Sequence, residues 1–352
     1  MVKSKRFWIA VIITLVFMII FFQRSNLFKT FESLSNANYL YVLYGSLIYL
    51  GSMIWRAIRW KIILTPCGNF SILRLSPVIL VGYATNNILP IRIGEFIRAY
   101  YLHKREAINP SSVLATILIE RIFDGLTLIF LIGIVSLSLP IIDLFQTLAN
   151  QTNMNWVVLT LGLSIPFIAA IVLLTIISFY PKFLTTILNY FLRILPSNWQ
   201  EKINSFSSYF FEGLSALKSP SKLLLIFACS LLIWLSEALV YLVIGIGFDF
   251  QDLIPNINTF ASIMILTTAT SNLGTSIPST GGGIGPFEFF SQTTLMFFNI
   301  PAHLASAFTL VLHGALLVPI TIIGIIYMWF NSISLRHLTT TSQEFHIKEE
   351  KI

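Results

Sequence analysis

Six of the ionisable side chains between Asn86 and Asp124 lie among largely apolar residues. Three are arginines, whose planar fork suits phosphate oxygens, and three are acids that can neutralise an arginine. One charge at a bilayer centre costs about 2.5–3.5 kcal/mol on insertion scales, so six unpaired charges would cost roughly 15–20 kcal/mol. We therefore expect the six to pair, to reach an interface or to line a wet cavity: Arg92, Glu95, Arg98, Glu120, Arg121 and Asp124.

The first of these charges are spaced by three residues. Arg92, Glu95 and Arg98 share one face if the stretch is helical. One interpretation is that Glu95 neutralises both arginines at the cytoplasmic interface. The other is an anion site for a lipid phosphate, and the two are compatible. Helix-breaking residues that free backbone groups for a polar ligand come just before: Asn86, Asn87 and Pro90.

The remaining three charges lie one to two turns into a long apolar helix. Arg121 and Asp124 can pair at i, i+3, whereas Glu120 and Asp124 share a face at i, i+4 and repel when both are ionised. The surplus acid needs a cation, and Arg92 or Arg98 is the candidate. The group is then either a structural clasp or a clasp that opens as a gate.

A glycine-rich segment occupies positions 278–288, with the sequence PSTGGGIGPFE. Each glycine costs about 1 kcal/mol in a helix, so the run predicts a break in which backbone N–H groups are exposed. It is either a ligand site or a tight turn capped by an acid at the start of a half-helix. The candidate residues are Pro278, Gly281, Gly282, Gly283, Gly285 and Glu288.

Glu237 is the most isolated acid in an apolar segment. It can pair with Arg121, stay protonated or couple transport to protons. His303 and His313 are spaced unlike metal ligands, and we interpret them as core or interface residues. We expect no metal, no cofactor and no catalytic residue.

The composition is that of a polytopic membrane protein. Of 352 residues, 56% are hydrophobic and 11% are charged, against about 25% charged in soluble domains. The net charge of +7 does not indicate nucleic-acid binding, because the basic residues lie between apolar segments, where they set orientation. Cys67 and Cys229 form neither a disulfide pattern nor a zinc pattern. The first apolar run is expected to be a retained helix.

We predict an all-α fold with about six full spans and two re-entrant helical hairpins. Residues 55–61, which include Trp55, Arg56, Arg59, Trp60 and Lys61, resemble a basic and aromatic interface anchor. Interfacial amphipathic helices are expected over 181–220. The predicted spans cover 7–22, 39–58, 111–139, 156–179, 223–248 and 304–330, and the broken, re-entrant stretches cover 76–100 and 257–299.

The basic residues predict the orientation. Nineteen of the 22 Lys and Arg residues fall in stretches 1–6, 56–74, 92–105, 182–222 and 336–351, which places both termini in the cytoplasm of a cell-membrane protein. The order of elements recurs in residues 7–139 and 156–330, joined by a loop near 140–155. Each half crosses three times, so the repeat is inverted, as in transporters. One membrane domain then covers 1–335, and 336–352 form a polar cytoplasmic tail.

Three motifs in order carry a resemblance to a known family. They are N-N-x-L-P-x-R-x-G-E-x-x-R at 86–98, E-R-x-x-D at 120–124 and P-x-x-G-G-G-x-G-x-x-E at 278–288. The chain resembles the lysylphosphatidylglycerol synthase transmembrane, or flippase-like, family, whose best-known member moves lysyl-phosphatidylglycerol between leaflets. The resemblance implies that the charged and glycine positions of these motifs are functional. The sequence has no soluble aminoacyl-transfer domain, so lipid aminoacylation is not expected.

The function we expect is translocation of a phospholipid or polyprenyl-linked glycolipid between leaflets. Its partners would be anionic phospholipid or polyprenyl-phosphate lipid, a second copy of the chain, or a lipid- or glycan-synthesis enzyme. The alternatives are a non-transporting accessory of such an enzyme, or a membrane lipid transferase. A transferase is disfavoured because the sequence has no D-x-x-D-G or DxD motif and no nucleotide loop.

Overall fold

The computed structural model describes residues 5–89, 93–141 and 197–331, together with scattered positions between 143 and 180. Within this part of the chain, twelve α-helices and two short 3₁₀ turns form the regular structure, and no strand is present. The all-α prediction is confirmed. The predicted loop near 140–155, the span at 156–179, the amphipathic stretch 181–196 and the tail after 331 lie largely or wholly outside the described residues, as do Pro90 and Arg92.

Six helices form the first part of the fold. Four of them begin at an Asn or Ser whose side chain accepts a hydrogen bond from the first turn: Asn26, Asn38, Ser71 and Asn109. The helices are α1 (Lys5–Gln23), α2 (Leu27–Asn36), α3 (Tyr39–Ile63), α4 (Ile72–Ile88), α5 (Gly94–Glu106) and α6 (Pro110–Val135).

Six helices form the second part. A 3₁₀ turn, Ser215–Lys218, follows the first of them, and a second 3₁₀ turn, Gly281–Gly283, lies in the glycine-rich segment. The helices are α7 (Ser197–Leu214), α8 (Pro220–Ile246), α9 (Phe250–Leu253), α10 (Ile257–Gly274), α11 (Pro286–Phe297) and α12 (Ala302–Phe330).

Membrane-spanning character is clearest in α8 and α12, the two described helices that are both long and apolar enough to cross a bilayer. A third candidate is the pair α1 and α2, which bend by 84° at a short break. The sequence did not predict α2. Helices α3 and α6 have 25 and 26 residues, but both carry buried ionic side chains.

Two helical hairpins occupy the places where the broken stretches were predicted. In the first, α4 packs against α5, and in the second, α10 packs against α11. Asn86 and Asn87 do not end α4, since the helix continues to Ile88, and the next described helix begins at Gly94. A β-carbon at Gly94 would lie 2.3 Å from the Gly82 carbonyl oxygen, so only glycine permits this approach of α5 to α4.

The packing of the two parts follows one scheme. Helix α3 packs along α8 at the centre of the fold. Helix α4 of the first hairpin packs on α12, just as α10 of the second packs on α6. Helix α5 packs on α6, just as α11 packs on α12. Each hairpin therefore bridges its own long helix and the corresponding helix of the other part.

The predicted interface anchor at 55–61 is wrong for three residues. Arg56, Arg59 and Trp60 are 4%, 1% and 0% exposed, respectively, and belong to the core. Helix α3 continues past them to Ile63 because acids from α6 and α8 neutralise both arginines. Two basic residues that were assigned to a cytoplasmic loop are therefore buried, which reduces the charge that supports the predicted orientation.

Candidate functional site

A cavity of about 480 Å³ lies where the two hairpins meet the long helices. Helices α3, α4, α6, α8, α10 and α12 and the glycine-rich segment all contribute to its wall. The apolar part of the lining includes Leu128, Trp234 and Phe287. Its polar lining residues are Tyr49, Arg56, Tyr83, Asn86, Asn87, Glu95, Arg121, Asp124, Glu237, Asn272, Thr275, Ser276, Ser279, Thr280 and His313.

Of the two arginines of the predicted set that the structure describes, Arg98 and Arg121, it is Arg121 that reaches this cavity. Its Nε lies 3.7 Å from Glu95 Oε1, and its Nη2 lies 3.6 Å from Asp124 Oδ2. Both distances exceed hydrogen-bond length. The Arg121 side chain is 32% exposed. Arg121 is thus at ion-pair distance from two acids while its partly exposed side chain lines the cavity.

A buried ionic network lies behind Arg121. Arg59 Nη1 donates to Asp124 Oδ1 at 2.6 Å and to Ser230 at 2.8 Å, and Arg98 Nη1 donates to Glu120 Oε2 at 2.6 Å. The predicted pairing of the surplus acid with Arg98 is confirmed. Arg59 is absent from the predicted site, and its Nη2 also lies 3.8 Å from Glu120 Oε1.

Arg98 is also enclosed by aromatic packing. Its guanidinium carbon lies 3.6 Å from the ring centroid of Trp60. Because Arg98 bonds Glu120, and Glu95 lies beside Arg121, the interpretation that Glu95 neutralises Arg98 is wrong. Two ion pairs, Arg98 with Glu120 and Glu95 with Arg121, therefore link α5 to α6, as the predicted clasp requires.

Glu237 pairs with Arg56, not with Arg121. Arg56 Nη2 donates to Glu237 Oε2 at 2.8 Å, and Nη1 donates to the Tyr83 hydroxyl at 2.7 Å. The Arg56 guanidinium carbon lies 5.2 Å from the Tyr83 ring centroid and 5.7 Å from that of Trp234. Such cation–π contacts strengthen as water is removed.

The glycine-rich segment forms the tight turn that its composition predicts. Gly282, Gly283 and Gly285 have φ values of 74°, 81° and 99°, which side chains rarely tolerate. Glu288 Oε2 accepts a hydrogen bond from the Gly285 N–H at 2.7 Å, so the predicted acidic cap is confirmed. A β-carbon at Gly281 would lie 2.6 Å from the Asn87 carbonyl oxygen. The turn of the second hairpin therefore touches the end of α4 in the first.

His313 of α12 holds the same turn from the other side. Its Nδ1 lies 2.5 Å from Glu288 Oε1, and its Nε2 lies 3.1 Å from the Gly282 carbonyl oxygen. His313 is buried, as the interpretation of a core residue predicts, and its ring also bridges two parts of the turn and lines the cavity. His303, ten residues earlier, lies outside this arrangement.

The structure brings most of the predicted site residues to the cavity or directly behind it. Lining the cavity are Asn86, Asn87, Glu95, Arg121, Asp124, Glu237, Pro278, Gly282 and Gly283. Behind that wall are Arg98, Glu120, Gly281, Gly285 and Glu288. Sequence reasoning missed Arg56, Arg59, Tyr83 and His313. The sequence feature that could have indicated Arg56 and Arg59 as site residues is their spacing by three, which places both on one face of α3.

Comparison with known proteins gives one match along most of the chain and two partial matches. A family model described as lysylphosphatidylglycerol synthase TM region matches residues 7–324. A UPF0104 membrane protein of Methanocaldococcus jannaschii is 33% identical over 135 residues, which cover 37% of this chain and 39% of that protein. Glycosyltransferase AglD of Haloferax volcanii is 32% identical over 111 residues, which cover 30% of this chain and 17% of that protein. The matched part is therefore less than half of either relative. No solved structure matches the chain.

Proposed function

The chain belongs to the lysylphosphatidylglycerol synthase TM-region family, and from this premise we propose that it moves a lipid with a phosphate-containing headgroup between membrane leaflets. The lipid is a phospholipid or a polyprenyl-linked glycolipid. The observation that carries the proposal is the ionic cavity of about 480 Å³ between two helical hairpins. Ionisable residues inside an apolar membrane protein mark substrate pathways by default.

Arg121 is the residue that would bind the headgroup. It lines the cavity while Glu95 and Asp124 lie at ion-pair distance from its side chain. A guanidinium in this state can exchange long ion-pair contacts for short, forked bonds to phosphate oxygens. Asn272, whose side chain also lines the cavity, offers further polar contact to a headgroup. Acyl chains would remain in the surrounding lipid.

The topology we propose has six spans, two re-entrant hairpins and both termini in the cytoplasm of a cell-membrane protein. The corresponding packing of α4 on α12 and of α10 on α6 supports two related halves. In transporters built from inverted halves, the site lies between broken elements near the bilayer midplane. The contact between Gly281 and Asn87 puts the ends of both broken elements side by side.

A second candidate function is a non-transporting role beside a lipid- or glycan-synthesis enzyme. One observation favours it: a matched relative is named a glycosyltransferase, and the match covers 17% of that protein. In this alternative the cavity holds a lipid-linked substrate and presents it to a partner. Translocation then does not occur, which distinguishes the two functions experimentally.

The test is lipid translocation in reconstituted vesicles. The full chain is inserted into vesicles of phosphatidylethanolamine and phosphatidylglycerol that contain a trace of NBD-labelled phosphatidylglycerol or an NBD-labelled polyprenyl phosphate. Dithionite bleaches only the outer leaflet, so the extent of bleaching reports translocation. We expect bleaching beyond the outer-leaflet fraction with the wild-type chain and loss of the excess in Arg121→Gln.

The matched control is Arg74→Gln. Arg74 is 61% exposed at the side chain and pairs with Glu106 away from the cavity, so translocation should be unchanged. If wild-type vesicles bleach no further than empty vesicles with either lipid, the transport proposal is wrong. In that case the accessory role remains.

A further inference from the structure

Two asparagines, one from each hairpin, line the cavity from equivalent places in the fold. Asn87 is the sixteenth residue of α4, counted from Ile72, and Asn272 is the sixteenth residue of α10, counted from Ile257. Each lies in the last turn of the first helix of its hairpin, and each lines the cavity. A headgroup between the hairpins therefore has one amide of each hairpin in the same chamber.

The hydrogen bonds of Asn87 determine which atom of its amide the protein uses. Thr321 Oγ1 donates its own proton to the Leu317 carbonyl oxygen at 2.6 Å, so this hydroxyl can only accept from Asn87 Nδ2, which is 2.9 Å away. Asn87 Nδ2 also lies 3.4 Å from the same carbonyl oxygen. The NH2 group is therefore directed at α12, and the amide oxygen of Asn87 is left as an acceptor.

The amide of Asn272 is held in the same way. Its Nδ2 donates to the Thr268 carbonyl oxygen at 2.9 Å and to the Tyr241 hydroxyl at 3.2 Å. A carbonyl oxygen cannot donate, so the orientation of this amide is fixed. Among the described residues, no donor reaches the side-chain oxygen of Asn87 or of Asn272. A third amide oxygen, Asn86 Oδ1, is buried and also has no described partner.

The acids in the cavity lining need no further cation. Within the part of the chain that the structure describes, each of these carboxylates has an arginine within 3.7 Å. An additional cation, such as an ammonium group, would lie near these arginines and repel them in a site of low dielectric constant. The donors that a ligand brings to the free amide oxygens should therefore be uncharged. The pairs are Glu237 with Arg56, Asp124 with Arg59, and Glu95 with Arg121.

We propose that the cavity selects a headgroup that carries free hydroxyl groups beside its phosphate, as a glycerol or a sugar does. The phosphate binds Arg121, and the hydroxyl groups donate to the amide oxygens of Asn87 and Asn272. A hydroxyl group is an uncharged donor, so it satisfies these acceptors and leaves the ion pairs of the wall intact. The cavity volume of about 480 Å³ is within the range of ligand pockets. This inference rests on the proposed function and makes the two asparagines the residues that determine specificity.

The test compares lipids that differ in their hydroxyl groups. Phosphatidylglycerol, phosphatidylinositol and phosphatidylpropanol are prepared with identical acyl chains, and each carries a single negative charge. Phosphatidylpropanol has the carbon atoms of glycerol without its free hydroxyl groups, so it is the matched reference. Phosphatidylethanolamine, which carries an ammonium group, is the cationic comparator. Each lipid competes with the reference for the full chain in detergent, and native mass spectrometry measures the ratio of the bound species.

We expect at least one of the two hydroxylated lipids to bind about tenfold more tightly than phosphatidylpropanol, because two hydrogen bonds together contribute a factor of this order. A preference for phosphatidylglycerol would identify an open-chain diol as the ligand chemistry, and a preference for phosphatidylinositol would identify a ring polyol. Phosphatidylethanolamine should bind more weakly than the preferred hydroxylated lipid.

Two variants test the assigned residues. Asn87→Leu and Asn272→Leu each remove one acceptor with little change in side-chain volume. We expect each variant to reduce the preference for the hydroxylated lipid by about threefold, while phosphatidylpropanol still binds through Arg121. The matched control is Asn258→Leu, at an exposed position of α10 outside the cavity lining, which should keep the wild-type preference. The lipid comparison in the wild type decides the inference where a variant fails to fold.

The outcomes separate this inference from the proposed function. Equal binding of the hydroxylated lipids and phosphatidylpropanol, or tighter binding of phosphatidylethanolamine, overturns the inference and leaves the transport proposal intact. A wild-type preference that persists in both leucine variants overturns the roles of Asn87 and Asn272. The expected preference together with no translocation in vesicles overturns the transport proposal alone. Absence of binding of all four lipids overturns the inference, and the vesicle assay then decides the proposed function by itself.

Discussion

Arg56 of α3 and Glu237 of α8 form a buried ion pair at 2.8 Å, with side chains that are 5% and 4% exposed. The two helices pack along each other, so this pair joins the first part of the fold to the second. Tyr83 and Trp234 border the same guanidinium. Such a pair is costly to break, because the remaining charge stays buried without its partner.

A double-mutant cycle on this pair should show strong coupling. We expect Arg56→Met or Glu237→Leu alone to lower the free energy of unfolding by about 3–5 kcal/mol, and the double variant to lose much less than the sum. Chemical or thermal unfolding in detergent micelles measures the three variants. The exposed pair Arg74 and Glu106 is the matched control and should contribute about 0–1 kcal/mol. Additive losses for the buried pair would contradict a direct interaction.

Arg98 and Arg121 should respond differently to the same substitution. Arg98→Gln breaks a buried ion pair at 2.6 Å and removes the packing of the guanidinium against Trp60. We therefore expect this variant to have a lower melting temperature than the wild type. Arg121→Gln breaks only contacts of 3.6 and 3.7 Å at a partly exposed side chain, and the fold should persist. Melting temperatures of the two purified variants decide the point. Equal melting temperatures would show that Arg98 is not structural.

The helices were predictable from sequence, and their ends were less so. The apolar run behind α3 was evident, but Arg56 and Arg59 suggested that the span ended there, and the helix in fact runs to Ile63. The physical reason is that acids distant in sequence neutralise these charges inside the fold. Helix α2 was missed because ten residues of mixed polarity give no span signal.

The contacts of the candidate site also fall into two groups, those that sequence spacing predicts and those that only tertiary packing creates. Pairs within one helix or across a short hairpin, such as Arg98 with Glu120, follow from spacing. The pair of Arg56 and Glu237 joins residues 181 positions apart, and only the packing of α3 on α8 brings them together. His313 was underrated because its partner Glu288 is on another helix and faces it only after the glycine turn.

Alanine at Gly281 should disrupt the contact between the two hairpins. The added β-carbon would lie 2.6 Å from the Asn87 carbonyl oxygen, which belongs to a backbone that cannot move aside easily. We expect Gly281→Ala to lower the melting temperature and the yield of monodisperse protein. The matched control is Gly133→Ala in α6, where nothing lies within 4 Å of the new atom and the melting temperature should not fall. Equal behaviour of the two variants would mean that the hairpins are not in contact here.

Helix α2 should lie flat at the membrane surface. It turns by 84° from α1, buries Thr30 and exposes Phe28 and Phe31 at 80% and 70%. A short amphipathic helix in this orientation places its aromatic face at the headgroup and acyl-chain boundary. In a Cys67→Ser, Cys229→Ala chain, an NBD label on Phe31→Cys should be quenched by lipids brominated near the headgroup. The label on the polar control Glu32→Cys should instead be quenched by aqueous iodide. A label at position 31 that iodide quenches as strongly as one at position 32 would place the aromatic face in water and remove α2 from the interface.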